Sequence, residues 1–300
     1  MKTNLSAPDI QALVERMVGP VSQLEPLPEG LVSQVYGFCR GQARYVVRVA
    51  PTREGFDKDA FAWRHFSSAD LPIPEVFTVD SFGDISACIS RRAGGVRVRD
   101  VSGDLAALSL AILEVLTAVG EADISATTGF GVFDAHGQAR HPSWRGYLLA
   151  VFDEDFCNWG LIGDRAQRRL VEQAILEVER LAPAKPHDRG LIHGDFGAAN
   201  LMSDGRLVTA VLDWDRALIG DAAYDQASLF FWGEPHLAAV RPSLASRHRG
   251  DEDWARRMLC YQLRICLQEL SENLAGLTPG DADWLLARCA DLVGQARRLA

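Results

Sequence analysis

The chain has 300 residues, 31 lysines and arginines against 40 acids, and a formal net charge of −9, which is room for one large or two ordinary domains. With 48% hydrophobic and 24% charged residues, its composition is globular and excludes disordered, collagen-like and fibrous chains. Residues 1–100 carry 12 acids and 12 bases while residues 101–300 carry 28 and 19, so the negative excess lies in the second part, which disfavours nucleic-acid and anionic-membrane partners and permits a cationic ligand there.

In chain order, Ser6 and Asp9 precede Ile10, Leu13, Val14, Met17 and Val18, a capping-box start to an amphipathic helix that Gly19-Pro20 ends. Val21 to Leu27, Gln34 to Cys39 and Arg44 to Ala50 read as three short antiparallel strands, with turns at Pro28-Glu29-Gly30 and Arg40-Gly41. Phe56 to Ser67 has a helical pattern, broken by Leu71-Pro72-Ile73-Pro74. Two more strands are expected at Val76 to Asp80 and Ser86 to Ser90, before a hinge at Gly94-Gly95. Long helical stretches follow at Leu105 to Val119, Arg165 to Leu181, Tyr224 to Trp232, Trp254 to Leu274 and Asp283 to Leu299. Among them sits a hairpin, Asn200 to Met202 and Leu207 to Leu212, around Ser203-Asp204-Gly205-Arg206.

Six cysteines (Cys39, Cys88, Cys157, Cys260, Cys266, Cys289) include no C-x-x-C pair and read as free thiols or small apolar residues. Met1 to Pro8 has no apolar stretch like that of a secretory signal, and no apolar run nears the roughly 18 residues of a membrane span. The expected protein is a cytoplasmic monomer without nucleic-acid or membrane partners.

The strongest local signal is Leu191-Ile192-His193-Gly194-Asp195-Phe196-Gly197-Ala198-Ala199-Asn200-Leu201-Met202, followed by Val208 to Asp213. An Asp and an Asn separated by four residues on a loop, with a second Asp beyond the next hairpin, is the spacing of kinase-type phosphoryl transfer. In that reading Asp195 accepts or orients the acceptor hydroxyl proton, and Asn200 and Asp213 hold Mg2+ against the phosphates. His193 is expected to brace the loop. A metal-hydrolase reading would make His193 and Asp195 ligands, but no second histidine lies near at ligand spacing.

These residues, with Tyr45-Val46-Val47-Arg48-Val49, Arg64-His65-Phe66 through Leu71-Pro72-Ile73-Pro74-Glu75-Val76, Cys88-Ile89-Ser90-Arg91-Arg92-Ala93, Gly129-Phe130-Gly131 and Gly220-Asp221 through Phe230-Phe231-Trp232, resemble the aminoglycoside phosphotransferase family, and within it the hygromycin B phosphotransferases. The resemblance implies an α+β, bilobal protein-kinase-like fold. Its small antiparallel-sheet N-lobe would span residues 1–94 and its mostly helical C-lobe residues 95–300. It implies a kinase that transfers the γ-phosphoryl group of ATP or GTP to a hydroxyl of an aminoglycoside, most simply hygromycin B, and so confers resistance.

The resemblance also implies that the nucleotide base meets backbone groups at Ser90, Arg91, Arg92 and Ala93, under a phosphate-covering loop from Gly30 to Gln34 that includes Ser33. The strand that supplies a lysine to phosphate in such enzymes presents Arg48 here, since the only lysines are Lys2, Lys58 and Lys185. Period-two alternation sets Arg48 on the face opposite Val47 and Val49, and Asp59 is its expected partner, with Asp57 second. An arginine is longer than lysine and an aspartate shorter than glutamate, so the pair keeps its reach. Asp221 is expected to cap a helix or brace the Asp195 loop. For a polycationic acceptor, Asp123, Asp153, Glu154, Asp155 and Glu234 are the candidate carboxylates. The alternatives are a kinase for another hydroxylated small molecule, and a silent nucleotide-binding protein of the same fold.

Overall fold

The computed structural model describes residues 2–30, 32–102, 105–152, 157–278 and 280–299. Its first part opens on helix α1 (Ala7–Val18). The Asp9 N–H donates to the Ser6 hydroxyl at 3.4 Å and the Ser6 N–H to Asp9 at 3.2 Å, the reciprocal cap expected from sequence. Strands β1 (Ser22–Pro26), β2 (Gln34–Arg40) and β3 (Ala43–Ala50) precede helix α2 (Glu54–Phe66), and β4 (Val76–Phe82) and β5 (Ile85–Arg91) follow it. The five strands form one antiparallel sheet in the order β1-β2-β3-β5-β4. The apolar stripe of α1, including Ile10 and Val14, packs on Phe38, Val47, Val49 and Ile89, each burial contributing about 1.5–3 kcal/mol.

The second part runs through β6 (Val96–Arg97), α3 (Ala106–Gly120), β7 (Phe130–Phe133), β8 (Ala139–His141), α4 (Trp144–Leu149) and α5 (Arg165–Leu181). It continues with β9 (Arg189–Ile192), β10 (Leu201–Ser203), β11 (Val208–Val211), β12 (Leu218–Asp221), α6 (Ala223–Trp232), α7 (Val240–Arg247), α8 (Glu252–Leu274) and α9 (Ala282–Arg298). The long helices and the β10–β11 hairpin lie where their apolar periodicity and turn residues predict. Helices α4 and α7 and the sheet β8-β7-β12-β9 were not anticipated. Those strands have three or four residues each, too few for an alternation to register. Among the described residues no helix is long and apolar enough to cross a membrane, and none of the six cysteines is in a disulfide, five of them being buried.

The Gly94-Gly95 step is a fixed crossing between the two parts. The Gly94 carbonyl accepts the Thr209 hydroxyl at 2.7 Å. Gly95 has φ +85° and sits where a Cβ would lie 1.9 Å from the Ser203 carbonyl oxygen, so only glycine fits as the chain enters β6 and pairs with β10. The first part also reaches into the second through α2. Phe61 and Phe66 share a buried cluster with Phe133, Trp214 and the α3 residues Leu108 and Ile112. The Val211 N–H donates to the Pro72 carbonyl at 2.8 Å. Helix α2 is thereby fixed to the segment that carries Asp213.

Candidate active site

Two short antiparallel pairings assemble the site. Strand β9 ends at Ile192 and hands the chain to the loop 193–200, while the β10–β11 register sets Leu201 opposite Val211. The Leu212 N–H therefore reaches the Asn200 carbonyl at 2.8 Å, so the end of the first loop lies beside the start of the Asp213 turn. The Asn200 amide donates to both the Asp195 carbonyl and its Oδ2, each at 2.9 Å. Asp213 takes the left-handed conformation, φ +66°, where a non-glycine residue is strained. Gly194 has φ +82° and a Cβ there would fall 2.2 Å from the Arg216 carbonyl oxygen, so the loop and the 213–217 segment pack backbone to backbone.

His193 joins these two segments, as expected of a brace. Its Nδ1 accepts the Asp195 N–H at 3.2 Å, which leaves the proton on Nε2 to be donated to the Leu212 carbonyl at 3.0 Å. Sequence reasoning missed the residue beneath it. Asp225, buried on α6, accepts the His193 N–H at 2.7 Å and the Gly194 N–H at 2.9 Å. Burial pushes its carboxyl above the usual range, with His193 and the two amides opposing. An aspartate in the first turn as the one charged residue of a largely apolar helix, three residues after Ala222, was the available signal.

The Arg48–Asp59 pair forms as expected, with Nη2 2.5 Å from Oδ2. Val47 and Val49 are buried on the opposite face of β3. The other Asp59 oxygen accepts the Trp214 N–H at 2.8 Å, so one carboxylate serves both the strand arginine and the turn after Asp213. Lys58, the adjacent residue, is buried and donates to the carbonyls of Asp215 and of Ala217 (3.2 Å), with its ammonium 5.0 Å from the Phe133 ring centroid. Burial lowers its pKa, against the pull of Asp215. The Asp213 carboxyl is raised by desolvation first and then by Asp59 and Asp195, while Arg48 opposes.

The other residues expected at the nucleotide lie at or just past the end of β5 and before β2. The N–H groups of Arg91 and Arg92 donate to the carbonyls of Glu75 (2.8 Å) and Arg44 (3.1 Å), so these two hinge donors are used within the first part. The Arg91 side chain lies over Tyr45, and Arg92 crosses Gly37 to reach Glu25 at 2.5 Å. Ser90 sits in β5 opposite Val46, and Ala93 follows just before the glycine crossing. Ser33 lies at the foot of β2. Its loop is anchored by Glu29, which accepts the Val35 N–H at 3.3 Å and pairs with Lys2.

Of the expected acceptor carboxylates, those among the described residues stand in other settings than the cavity beside Asp195. Asp123 is exposed in a turn that accepts the Ser125 N–H at 2.9 Å, and does not line the cavity beside Asp195. Glu234 accepts the Ala198 N–H at 3.0 Å and backs Gly197, so it supports the 193–200 loop from behind. Asp153, Glu154 and Asp155 lie outside the described residues. Asp221 is buried and structural as expected, accepting from the Ala223 N–H (3.0 Å), Arg257 (2.7 Å) and the Tyr261 hydroxyl (2.8 Å), which itself accepts from Trp144 at 3.1 Å.

The cavity beside Asp195 has a volume of about 270 Å³ and is lined by Asp195, Asp215, Arg216, Trp232, Glu269 and Glu272, among others. Arg216 pairs with Glu269 at 2.9 Å and Glu272 at 2.5 Å. The two glutamates stand three residues apart on α8, one turn of one face, at the end of a run of buried residues in that helix.

Residues 23–260 match the phosphotransferase enzyme family, APH. The chain is 36% identical over 296 residues to the hygromycin-B 4-O-kinase of Escherichia coli, covering 97% of this chain and 86% of that protein. It superposes with a TM-score of 0.90, at 35% identity, on a thermostable mutant of aminoglycoside phosphotransferase APH(4)-Ia in ternary complex with AMP-PNP and hygromycin B, covering 96% of this chain and 99% of that one. A GDP complex of aminoglycoside 2'-phosphotransferase-IIIa, at 16% identity and a TM-score of 0.64, shares the fold. With the family match spanning residues 23–260 and the 36% identical relative covering 97% of its length, the chain belongs to the APH phosphotransferase enzyme family.

Proposed function

We propose that the protein is an aminoglycoside O-phosphotransferase that moves the γ-phosphoryl group of ATP onto a hydroxyl of hygromycin B. The observation that carries this reading is Asp195 in the wall of a cavity whose other charged lining is one arginine and three acids, Asp215, Glu269 and Glu272. Such a pocket suits a polyhydroxylated polycation. The E. coli relative is named for hygromycin B, and APH(4)-Ia forms a complex with that drug and an ATP analogue, which supports both the acceptor and the donor.

The nucleotide would lie between residues 1–94 and 95–300, with Ser90 to Ala93 at its base and the Ser33 loop over its phosphates. Arg48, held through one nitrogen by Asp59, would direct its remaining donors to phosphate. The donor set near Asp213 fits a magnesium ion. Asp213 and Asn200 offer hard oxygens, and because the Asn200 NH2 is turned to Asp195, its carbonyl oxygen is the one that would coordinate. Among the described residues no cluster of three or more His, Cys, Asp or Glu side chains is placed to hold a metal, which suits an ion that completes its shell with phosphate oxygens and water. When bound, the ion would offset charge on the phosphates.

The acceptor oxygen would bond to the γ-phosphorus as the bond to the β–γ bridging oxygen breaks, and nucleoside diphosphate would leave. Asp195 would hold the hydroxyl in line and receive its proton, while Asn200 fixes the Asp195 carboxylate. Catalysis in this scheme is mainly positioning and charge stabilisation. The test is an assay with ATP, magnesium and a panel of aminoglycosides, in which hygromycin B alone or with close analogues should drive ATP consumption. Turnover with a different alcohol would make the protein a kinase of another small molecule, and nucleotide binding without transfer to any acceptor would make it a silent member of the fold.

A further inference from the structure

Arg216 differs from an ordinary surface ion-pair partner in what it joins. Each of its terminal nitrogens meets a separate carboxylate, Glu269 at 2.9 Å and Glu272 at 2.5 Å. All three side chains line the cavity that also holds Asp195. The glutamates have other means of support: both stand on the 23-residue helix α8, and Glu272 accepts the Gln268 amide at 2.9 Å with the oxygen that Arg216 does not use. The Arg216 backbone, by contrast, is fixed against Gly194, so movement at this position is movement of the side chain.

We propose that Arg216 is the resident counter-cation of the acceptor pocket, and that an ammonium group of the incoming acceptor displaces its guanidinium from Glu269 and Glu272. The inference rests on the reading that this cavity takes a cationic acceptor. Exchange of one cation for another keeps the number of ion pairs nearly constant, so neither carboxylate is left uncompensated before or after binding. A neutral polyol has no charge with which to make the exchange and leaves the Arg216 bridge closed. Arg216 thereby sets specificity for cationic acceptors by competing with them.

The test is calorimetric titration of hygromycin B into wild type and Arg216→Gln at low and high salt, with turnover measured in parallel. Without the competing guanidinium, Arg216→Gln should bind the drug about tenfold more tightly at low salt. Its affinity should fall steeply with added salt, whereas exchange leaves the wild type only weakly salt-dependent. Equal or weaker binding by Arg216→Gln, or the same salt dependence in both proteins, would overturn the proposal. Should the variant fail to fold, the structure of the wild type with hygromycin B decides: Arg216 should stand beyond ion-pair distance, about 4 Å, from both glutamates, and an intact bridge would overturn the exchange. Drug binding without turnover would count against the proposed reaction alone, and absence of binding to the wild type against both.

Discussion

Asp59 accepts the backbone N–H of Trp214 at 2.8 Å with the carboxylate oxygen that Arg48 does not occupy. One side chain on α2 thus holds both the strand cation of the first part and the turn that follows Asp213 in the second. The consequence is a graded response to substitution. Asp59→Asn keeps a carbonyl oxygen for Trp214 but loses the ion pair, and should raise the nucleotide KM about tenfold; Asp59→Ala loses both links and should lower kcat/KM about a hundredfold. Steady-state kinetics with varied ATP check this, and equal losses in the two variants would remove the Trp214 link from the account.

Asp225 carries the loop of the proposed catalytic aspartate on two backbone hydrogen bonds. Asp225→Asn offers one acceptor oxygen to two N–H groups and turns an NH2 against the other. The expected cost is about 1–3 kcal/mol of stability, with kcat falling and both KM values little changed. Urea unfolding and initial rates on the same preparation measure the two effects.

Lys58 places a buried ammonium on carbonyl oxygens of the 215–217 segment. Lys58→Met fills the space and leaves two carbonyls without their donor, so Tm should drop at pH 7. Because burial lowers the Lys58 pKa from its ordinary value of 10.5, the folded state holds fewer protons than the unfolded state in the interval up to 10.5. Wild-type stability relative to Lys58→Met should therefore rise through that alkaline interval. Melting curves of both proteins between pH 7 and about 10.5 test the sign.

Glu269 should make acceptor binding acid-sensitive. Burial raises its carboxyl above the ordinary glutamate value, Arg216 opposes and Glu272 adds to the shift. As pH falls, Glu269 gains its proton sooner than an exposed glutamate and the pocket loses negative charge. The KM for hygromycin B should then rise on acidification while the nucleotide KM changes less. Glu269→Gln should flatten the acid limb of the acceptor profile.

Much of this arrangement was legible beforehand, for reasons that differ by residue. The Asp195, Asn200 and Asp213 spacing survives because a loop and one tight hairpin bring them together, and local sequence encodes both. Arg48 and Asp59 were legible because the family resemblance implies a strand cation with an acidic helix partner, and strand alternation and the spacing to Leu71-Pro72 narrowed these to single residues. Asp225, Arg216, Glu269 and Glu272 escaped because they meet the site only through tertiary packing, from α6, from the turn beyond Asp213 and from α8. Asp123 and Glu234 were chosen only as acids in the right part of the chain, and each carboxylate accepts a backbone N–H, a local contact that composition does not encode. The sheet β8-β7-β12-β9 was hidden by strands too short to show a period.

The central claim, phosphoryl transfer at Asp195 to an acceptor in the adjacent acidic cavity, is tested most directly by comparing wild type with Asp195→Ala in ATP, magnesium and hygromycin B. The expected result is drug-dependent formation of phosphorylated hygromycin B by the wild type, detected by mass spectrometry. Asp195→Ala should lose nearly all of that turnover while still binding nucleotide and drug with affinities close to those of the wild type. Undiminished turnover by Asp195→Ala, or no phosphorylated drug from a wild type that binds both substrates, would contradict the account.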